Sequence, residues 1–420
     1  MKKILLFILS AVSIFSYYGC SELGRIDQID ESISAPEKLS VLNVTNTPGG
    51  AVIKVKVPND QNLMGALAVY ERNGEECKTK ISKYVDTLVV EGFGNTDPRE
   101  VTLYSIGKNE KLSEAVKVTI NPLLPPVRTV KFDLEETFGG VVVHLDNNET
   151  RAELAVGLLV DTILSDINLE PSQINWSDVT TFHTSAPKIN LTRRSLSAET
   201  RIYGVFLRDR WDNYSDTVFK ILTPIEEIKL PTNTFQKGNF PGDYTTATEN
   251  NESKFGLQNL WNGSQYPFYA TSHSGPIPQS FTIKLGYTAS ISRIQKAPRP
   301  EGGELYSGSG PRTFEVYGST NPNPDGSFDD SWHLLGKFEQ FKPSGYGEGS
   351  DVGPITDEDK DYWFNRTEFE LTPTEEITDP HQPVSYIRIK VTSTYATYGT
   401  EGRAGQVIIG DLKFWGQKLD

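Results

Sequence analysis

Residues 280–286, SFTIKLG, and residues 314–319, FEVYGS, decide the fold class. Every second side chain of the first stretch is apolar, namely Phe281, Ile283 and Leu285. Successive side chains of a β-strand point to opposite faces, so this alternation predicts a strand with one buried face. Phe314 and Val316 repeat the pattern. Two sheets that bury such faces against each other form a sandwich, and its binding site is then expected in the loops at one end.

The rest of the chain also predicts strands rather than helices. Short runs rich in Val, Ile, Thr, Tyr and Phe recur between turns of Gly, Pro, Asn and Asp, and no long segment shows a helical apolar stripe. The predicted strands of the N-terminal part are residues 51–57, 85–91, 99–106 and 115–121. The chain is therefore expected to be all-β.

An internal repeat predicts two similar sandwiches before the C-terminal domain. TPGGAVIKV at residues 47–55 matches TFGGVVVHL at residues 137–145, an offset of 90 residues. We place two sandwiches of the immunoglobulin or fibronectin type III size at residues 36–123 and 126–224. The Gly-Gly pair in each copy suits a sharp turn with positive φ before a core strand. Proline-rich joints at residues 121–126 and 223–231 predict stiff spacers.

The N-terminus predicts export and a lipid anchor. Residues 1–19 combine Lys2 and Lys3 with a short apolar run, as in a secretory signal. The run is too short to span a membrane as a helix. Residues 17–20, YYGC, resemble the end of a bacterial lipoprotein signal, which implies cleavage before Cys20 and acylation of Cys20. Residues 20–35 are polar and acidic, which predicts a flexible tether.

Charge and cysteine content restrict the partners. The net charge is −14, which disfavours nucleic acid and anionic lipid and suits a neutral ligand such as a sugar. With Cys20 acylated, Cys77 has no partner, so no disulfide is expected. No nucleophile elbow, phosphate loop, dinucleotide motif or zinc-protease motif occurs, and we expect no enzymatic activity.

Ordered blocks in the C-terminal part carry a resemblance to a known domain. These are residues 260–263, 280–286, 291–294, 313–320, 332–336, 386–391 and 410–416. In order and spacing they resemble the discoidin or coagulation-factor type C domain, which implies a galactose-binding-like jelly roll over residues 232–420. Relatives of that fold bind sugars, phospholipid heads or proteins.

The whole chain resembles outer-membrane lipoproteins of Bacteroidetes glycan-uptake systems. The resemblance rests on TPGGAVIKVKVPND and VVEGFGNTDPREVTLYSIG in the first sandwich, YGVFLRDRWDNYSD in the second, and the C-terminal domain. It implies a lipid-anchored protein facing the cell exterior that binds poly- or oligosaccharide for an uptake porin and its partner lipoprotein. The alternative is a protein-binding adhesin or scaffold.

Three loops are the candidate binding site, at residues 265–274, 299–312 and 395–406. They combine aromatic rings, which cover the apolar face of a sugar, with polar groups that bind its hydroxyls. The candidate residues are Tyr269, His273, Arg299, Tyr306, Tyr395, Tyr398 and Arg403. The segment KAPR, ending at Arg299, resembles the part of galactose-binding modules whose Arg contacts the sugar. Gly308-Ser309-Gly310 stands where that pattern often has Asn-Gly, which argues against galactose specificity.

The same resemblance implies a structural Ca²⁺. Asp411 stands where relatives often have Glu, and Asn262 replaces an expected Asp. Ca²⁺ prefers several oxygen ligands, and the missing carboxylate would weaken such a site.

Overall fold

The computed structural model describes residues 32–163, 171–299, 305–347, 352–365, 367–398 and 405–419. They form three β-units in chain order, each with its own apolar core. The predicted signal, Cys20 and Arg403 lie outside the described residues. No helix in the described part of the chain is long and apolar enough to cross a membrane.

The first unit is a sandwich of a three-stranded and a four-stranded sheet, ordered β1-β2-β5 and β4-β3-β6-β7. Ile53 and Val90 of the first sheet and Ala68 and Leu103 of the second share one fully buried cluster. The strands are β1 (Ser40–Thr47), β2 (Gly50–Lys56), β3 (Leu63–Arg72), β4 (Glu75–Ser82), β5 (Thr87–Glu91), β6 (Arg99–Gly107) and β7 (Val116–Ile120). The predicted strands of this unit are confirmed.

The second unit repeats this arrangement, with sheets ordered β12-β9-β8 and β11-β10-β13-β14. A one-turn helix, α1 (Pro126–Thr129), precedes it. Its strands are β8 (Lys131–Thr137), β9 (Gly140–Asp146), β10 (Leu154–Asp161), β11 (Trp176–Thr184), β12 (Ile189–Arg193), β13 (Arg201–Arg208) and β14 (Val218–Leu222). Gly49 has φ +67° and Gly139 has φ +69°, and each precedes the central strand of its three-stranded sheet. The glycine turns predicted from the repeat are confirmed.

The third unit is a larger sandwich built around an eight-stranded sheet, with the path β15-β24-β18-β22-β19-β20 and with β16 and β21 added at β18; a separate ladder pairs β17 with β23. Its strands are β15 (Ile228–Lys229), β16 (Gln236–Lys237), β17 (Tyr269–Ala270), β18 (Gln279–Ala297), β19 (Pro311–Ser319), β20 (His333–Glu339), β21 (Thr367–Glu370), β22 (Val384–Thr394), β23 (Ile408–Ile409) and β24 (Asp411–Lys418). Two short helices lie between them, α2 (Glu252–Phe255) and α3 (Asp357–Phe364).

The strand β18 belongs to both layers of this unit. Its first half, through Lys284, pairs with β16 and β22, and its second half, from Ala289, pairs with β24 and β21. Gly286 lies between the halves with φ +82°. The strand predicted at 280–286 is therefore the first half of a longer strand, Gln279–Ala297, which bends and carries the chain from one layer to the other.

The second proline-rich joint contributes a strand to the third unit. Ile228 and Lys229 form β15 and pair with Gly416 and Trp415 of β24, at one end of the strand path. The joint is therefore hydrogen-bonded to the unit that follows it.

Neighbouring units contact each other at both junctions. In the first, Asn213 donates to Gly92 O at 3.1 Å and Asn73 donates to Trp211 O at 3.0 Å, so a loop of the second sandwich docks on the first. In the second, Glu227 is buried and accepts hydrogen bonds from Arg194 of the second sandwich and Arg293 of the third unit, each at 3.2 Å. These contacts fix the orientation of neighbouring units.

Candidate functional site

The three predicted loops meet at one end of the third unit. Gln406 Nε2 donates to Thr271 O at 3.1 Å, and Ser309 Oγ donates to Gln406 Oε1 at 3.0 Å. These two bonds join the segments that follow β17, precede β19 and precede β23. The three loops predicted to form the site are therefore in contact with one another, and the site itself stays a prediction.

A pocket of about 280 Å³ lies at this end. Tyr266 is 52% exposed, and its ring lies 5.9 Å, centroid to centroid, from the ring of the buried Phe268. The guanidinium of Arg299 lies 6.0 Å from the Phe268 ring, within the range of a cation–π contact. The lining residues are Thr248, Glu249, Lys254, Phe255, Tyr266, Phe268, Ala270, His273, Arg299, Gln406 and Ile408.

A smaller cavity, of about 30 Å³, shares Arg299 and Ile408 with this pocket. It is otherwise lined by Lys296, Pro298, Ser309, Gly310 and Trp363. Lys296 is 4% exposed, and its Nζ donates to Gln340 Oε1 at 2.5 Å. Burial lowers the pKa of Lys296 to about 7, because a charged amine is poorly solvated there.

Two of the predicted sugar-binding residues line the pocket, His273 and Arg299. His273 is exposed on the segment after β17, and Arg299 follows the end of β18. Of the other candidates, the side chain of Tyr398 and the whole of Arg403 lie outside what the structure describes.

Three predicted tyrosines are buried and cannot contact a ligand in this structure. Tyr269 is in the main core, where its ring packs on Phe281 at 5.3 Å. Tyr306 and Tyr395 form a separate cluster with Trp363, and the Tyr306 hydroxyl donates to Asp359 O at 2.8 Å. Burial raises the pKa of all three hydroxyls. We correct these three from ligand contacts to packing residues.

The pocket residues that were not predicted candidates are Thr248, Glu249, Lys254, Phe255, Tyr266, Phe268, Ala270, Gln406 and Ile408. Tyr266 lies in a predicted loop, but the sequence alone did not separate it from Tyr269, three residues later. The signal that distinguishes them is position, because Phe268 to Ala270 are buried around the short strand β17 and Tyr266 precedes it. Glu249 and Lys254 come from a segment that carried no aromatic motif.

The calcium prediction gains no support from the described residues. Asn262 is exposed, with its amide donating to Pro267 O and its carbonyl accepting from Ser264 N. Asp411 is buried, and its Oδ2 lies 3.7 Å from Lys413 Nζ. Among the described residues, no group of three His, Cys, Asp or Glu side chains is placed to hold a metal ion. Calcium at Asp411 and Asn262 stays a prediction.

Family comparisons match the three units with three family models. Residues 36–122 match DUF4959, residues 122–233 match DUF5126, and residues 257–416 match DUF5000, each described as a domain of unknown function. A search of curated proteins finds no match.

Solved structures give three informative likenesses. A SusE-like protein is 29% identical, over 70% of this chain and 100% of that chain, with a TM-score of 0.41. The family 32 carbohydrate-binding module of NanJ from Clostridium perfringens, in complex with galactose, is 14% identical over 45% of this chain and 98% of its own, with a TM-score of 0.28. A second family 32 module from Clostridium perfringens, in complex with GalNAc-β-1,3-galactose, is 12% identical over 44% and 99%, also with a TM-score of 0.28. At these TM-scores the fold class rests on the strands themselves.

Proposed function

We propose that this chain is a non-catalytic carbohydrate-binding protein that binds a poly- or oligosaccharide in the pocket at the loop end of the third unit. The observation that carries the proposal is that Tyr266, which is half-exposed, lines one pocket together with His273 and Arg299. A sugar presents an apolar C–H face and a rim of hydroxyls, and this wall offers a partner for each.

The roles within the pocket follow from the chemistry of the side chains. Tyr266 supplies the flat apolar surface, and its ring packs against the ring of Phe268. Arg299 and Lys254 donate hydrogen bonds, Glu249 accepts them, and His273 does either according to its tautomer. Gln406 already bonds Thr271 and Ser309 and serves to hold the loops together.

The composition of the pocket wall supports binding without cleavage. Glycoside hydrolysis generally uses two carboxyl groups, about 5–10 Å apart, on either side of the bond. Among the described residues that line the pocket, Glu249 is the single acid. One carboxylate can orient a hydroxyl but does not supply both the acid and the second carboxylate of a glycosidase.

The predicted lipid anchor, tether and two sandwiches lead us to propose a role for this pocket at the cell surface. In the proposed arrangement Cys20 carries the lipid anchor in the outer membrane, and the tether leads to the two sandwiches on the outer side. The contacts between units at Trp211 and Glu227 support a stiff spacer that holds the pocket away from the membrane. The captured glycan would pass to an uptake porin and its partner lipoprotein.

Affinity gel electrophoresis of residues 21–420 tests the binding function. The gels contain plant, fungal or host polysaccharides, and a retained glycan is checked for released reducing ends. We expect retardation by at least one glycan without degradation, and about tenfold weaker binding in Tyr266→Ala and Arg299→Ala. Tyr84→Ala is the matched control, because Tyr84 is a strongly exposed tyrosine of the first sandwich.

The outcomes separate the alternatives. Retardation that both pocket variants retain would show that the sugar binds elsewhere. Failure of every glycan, together with a protein captured in pull-down experiments, would replace the proposal with the adhesin or scaffold alternative.

A further inference from the structure

The charges around the pocket are opposite in sign to those of the chain as a whole. The chain has 55 acidic and 41 basic residues. Among the described residues that line the pocket and its adjoining cavity, Lys254, Lys296 and Arg299 are basic, and Glu249 alone is acidic. A local excess of positive charge on an acidic protein attracts an anion to that place.

The adjoining cavity has the size and donors for a small anionic group. Its volume of about 30 Å³ exceeds the roughly 10–15 Å³ that one water needs, so it holds about two water-sized atoms, as in the two oxygens of a carboxylate. Arg299 and Lys296 line it and supply the donors, whereas the Ser309 hydroxyl already donates to Gln406 Oε1. Among the described residues that line it, none is acidic.

Lys296 makes this cavity unusual. Its amine is buried beside Gln340, and burial is the cause that lowers its pKa. A buried amine is costly to keep charged unless an anion lies beside it. A carboxylate that enters between Arg299 and Lys296 would supply that anion and favour the charged amine.

We infer that the ligand is a glycan that carries carboxylate groups, and that one carboxylate enters the small cavity between Arg299 and Lys296. The inference rests on the proposed function and adds the substrate class. It also revises the expectation of a neutral ligand, because basic residues outnumber acidic ones in the lining of this pocket and its adjoining cavity.

Paired polysaccharides test this directly. Polygalacturonate, alginate and hyaluronate are each compared with their carboxyl-reduced, neutral forms, using residues 21–420 in affinity gels and titration calorimetry. The expected result is about tenfold or tighter binding of at least one carboxylated polymer over its reduced form, the factor that one charged contact of about 1.4 kcal/mol provides.

Lys296→Met tests the part played by the amine. The variant keeps the length of the side chain, and we expect it to lose most of the preference for the carboxylated form while retaining binding to the reduced form. Lys284→Met is the matched control, because it removes the same charge from the same strand. Lys284 is exposed and lies in the first half of β18, whereas Lys296 lies near the end of the second half. Melting temperatures verify that both variants are folded.

Three results would overturn the inference. Equal or tighter binding of the reduced polymers leaves the proposed function standing but removes the acidic substrate class. Equal losses in Lys284→Met and Lys296→Met would indicate general charge attraction. If neither form of any of the three polymers binds but other neutral glycans do, the acidic substrate class is also excluded. If no glycan binds at all, the proposed function itself is excluded. The polymer comparison decides the question even if Lys296→Met does not fold.

Discussion

At the scale of single residues, the three predicted loops lie together, but only two of their candidate side chains line the pocket. His273 and Arg299 line the pocket as predicted, whereas Tyr306 and Tyr395 are buried under the segment that carries Trp363. An aromatic residue in a loop is equally suited to stacking on a sugar and to packing under a neighbouring loop. Which of the two occurs depends on the long insertion between β20 and β21, whose path local sequence does not show.

That insertion is held by Asp359. Burial would raise the pKa of Asp359, but hydrogen bonds from Ser344 and Thr356 outweigh it and hold the pKa below the usual value. Lys342 Nζ lies 3.3 Å from the same carboxylate, and both side chains are fully buried. The carboxylate also forms the capping box of α3 with Thr356.

We expect Asp359→Asn to lower the free energy of unfolding by about 3 kcal/mol, because it leaves a buried ammonium without its anion. Because the pKa of Asp359 is lower in the folded protein than the value of about 4 in the unfolded chain, its ionised carboxylate stabilises the fold above about pH 4. That stabilisation is lost as the pH falls toward the folded pKa. The variant should therefore lose less stability than wild type between about pH 5 and pH 2. Urea unfolding across this range measures both effects. Asp357→Asn, on the exposed side of the same helix, should change little, and equal effects of the two substitutions would refute the assignment.

At the scale of elements, alternation predicted where the strands lie but not how they share layers. The apolar alternation of β18 is interrupted around Gly286, and alternation alone does not show whether the strand continues past that residue. The structure shows a bend, because a residue with φ +82° turns the strand without ending it. Whether the strand ends or bends at Gly286 depends on strands far apart in the chain that pair with it. The apolar periodicity of the sequence carries no information about those partners.

We expect Gly286→Ala to destabilise the protein by about 2–3 kcal/mol, because the added Cβ would need a left-handed backbone and would lie 2.8 Å from Thr234 Cβ. Gly345→Ala is the control, since Gly345 has φ +78° but nothing within 4 Å of its Cβ position. It should cost about 1 kcal/mol. Denaturant unfolding of both variants measures the difference, and equal costs would show that the bend is not closely packed.

At the scale of the whole molecule, the repeat predicted the two sandwiches, and the proline joints predicted where the units meet. The contacts that fix the units were not predicted. Gly92 approaches Trp211 so closely that a Cβ there would lie 2.7 Å from the indole ring. Asn213 contacts Gly92 across 121 residues of sequence. A glycine and an Asp-Asn turn are each explained by the local structure of their own unit. Their sequence therefore gives no sign that they contact each other.

The joint at Glu227 gives a prediction for the molecule as a whole. We expect Glu227→Gln to weaken the coupling of the second sandwich to the third unit by about 3 kcal/mol, because Arg194 and Arg293 lose a buried anionic partner. Calorimetry should show the thermal transitions of the two units moving apart. Glu368→Gln removes a more exposed partner of Arg293 and should have a small effect. An unchanged thermogram in Glu227→Gln would show that the joint is not held by this contact.

The measurement that tests the central claim most directly is a crystal structure of residues 21–420 with the oligosaccharide that binds most tightly. The claim predicts a sugar ring against the exposed face of Tyr266, with hydroxyl or carboxylate oxygens within hydrogen-bonding distance of Arg299. A sugar bound elsewhere would contradict it. The clearest such case would be the cleft of about 480 Å³ between the second sandwich and the third unit, which His144 and His381 line.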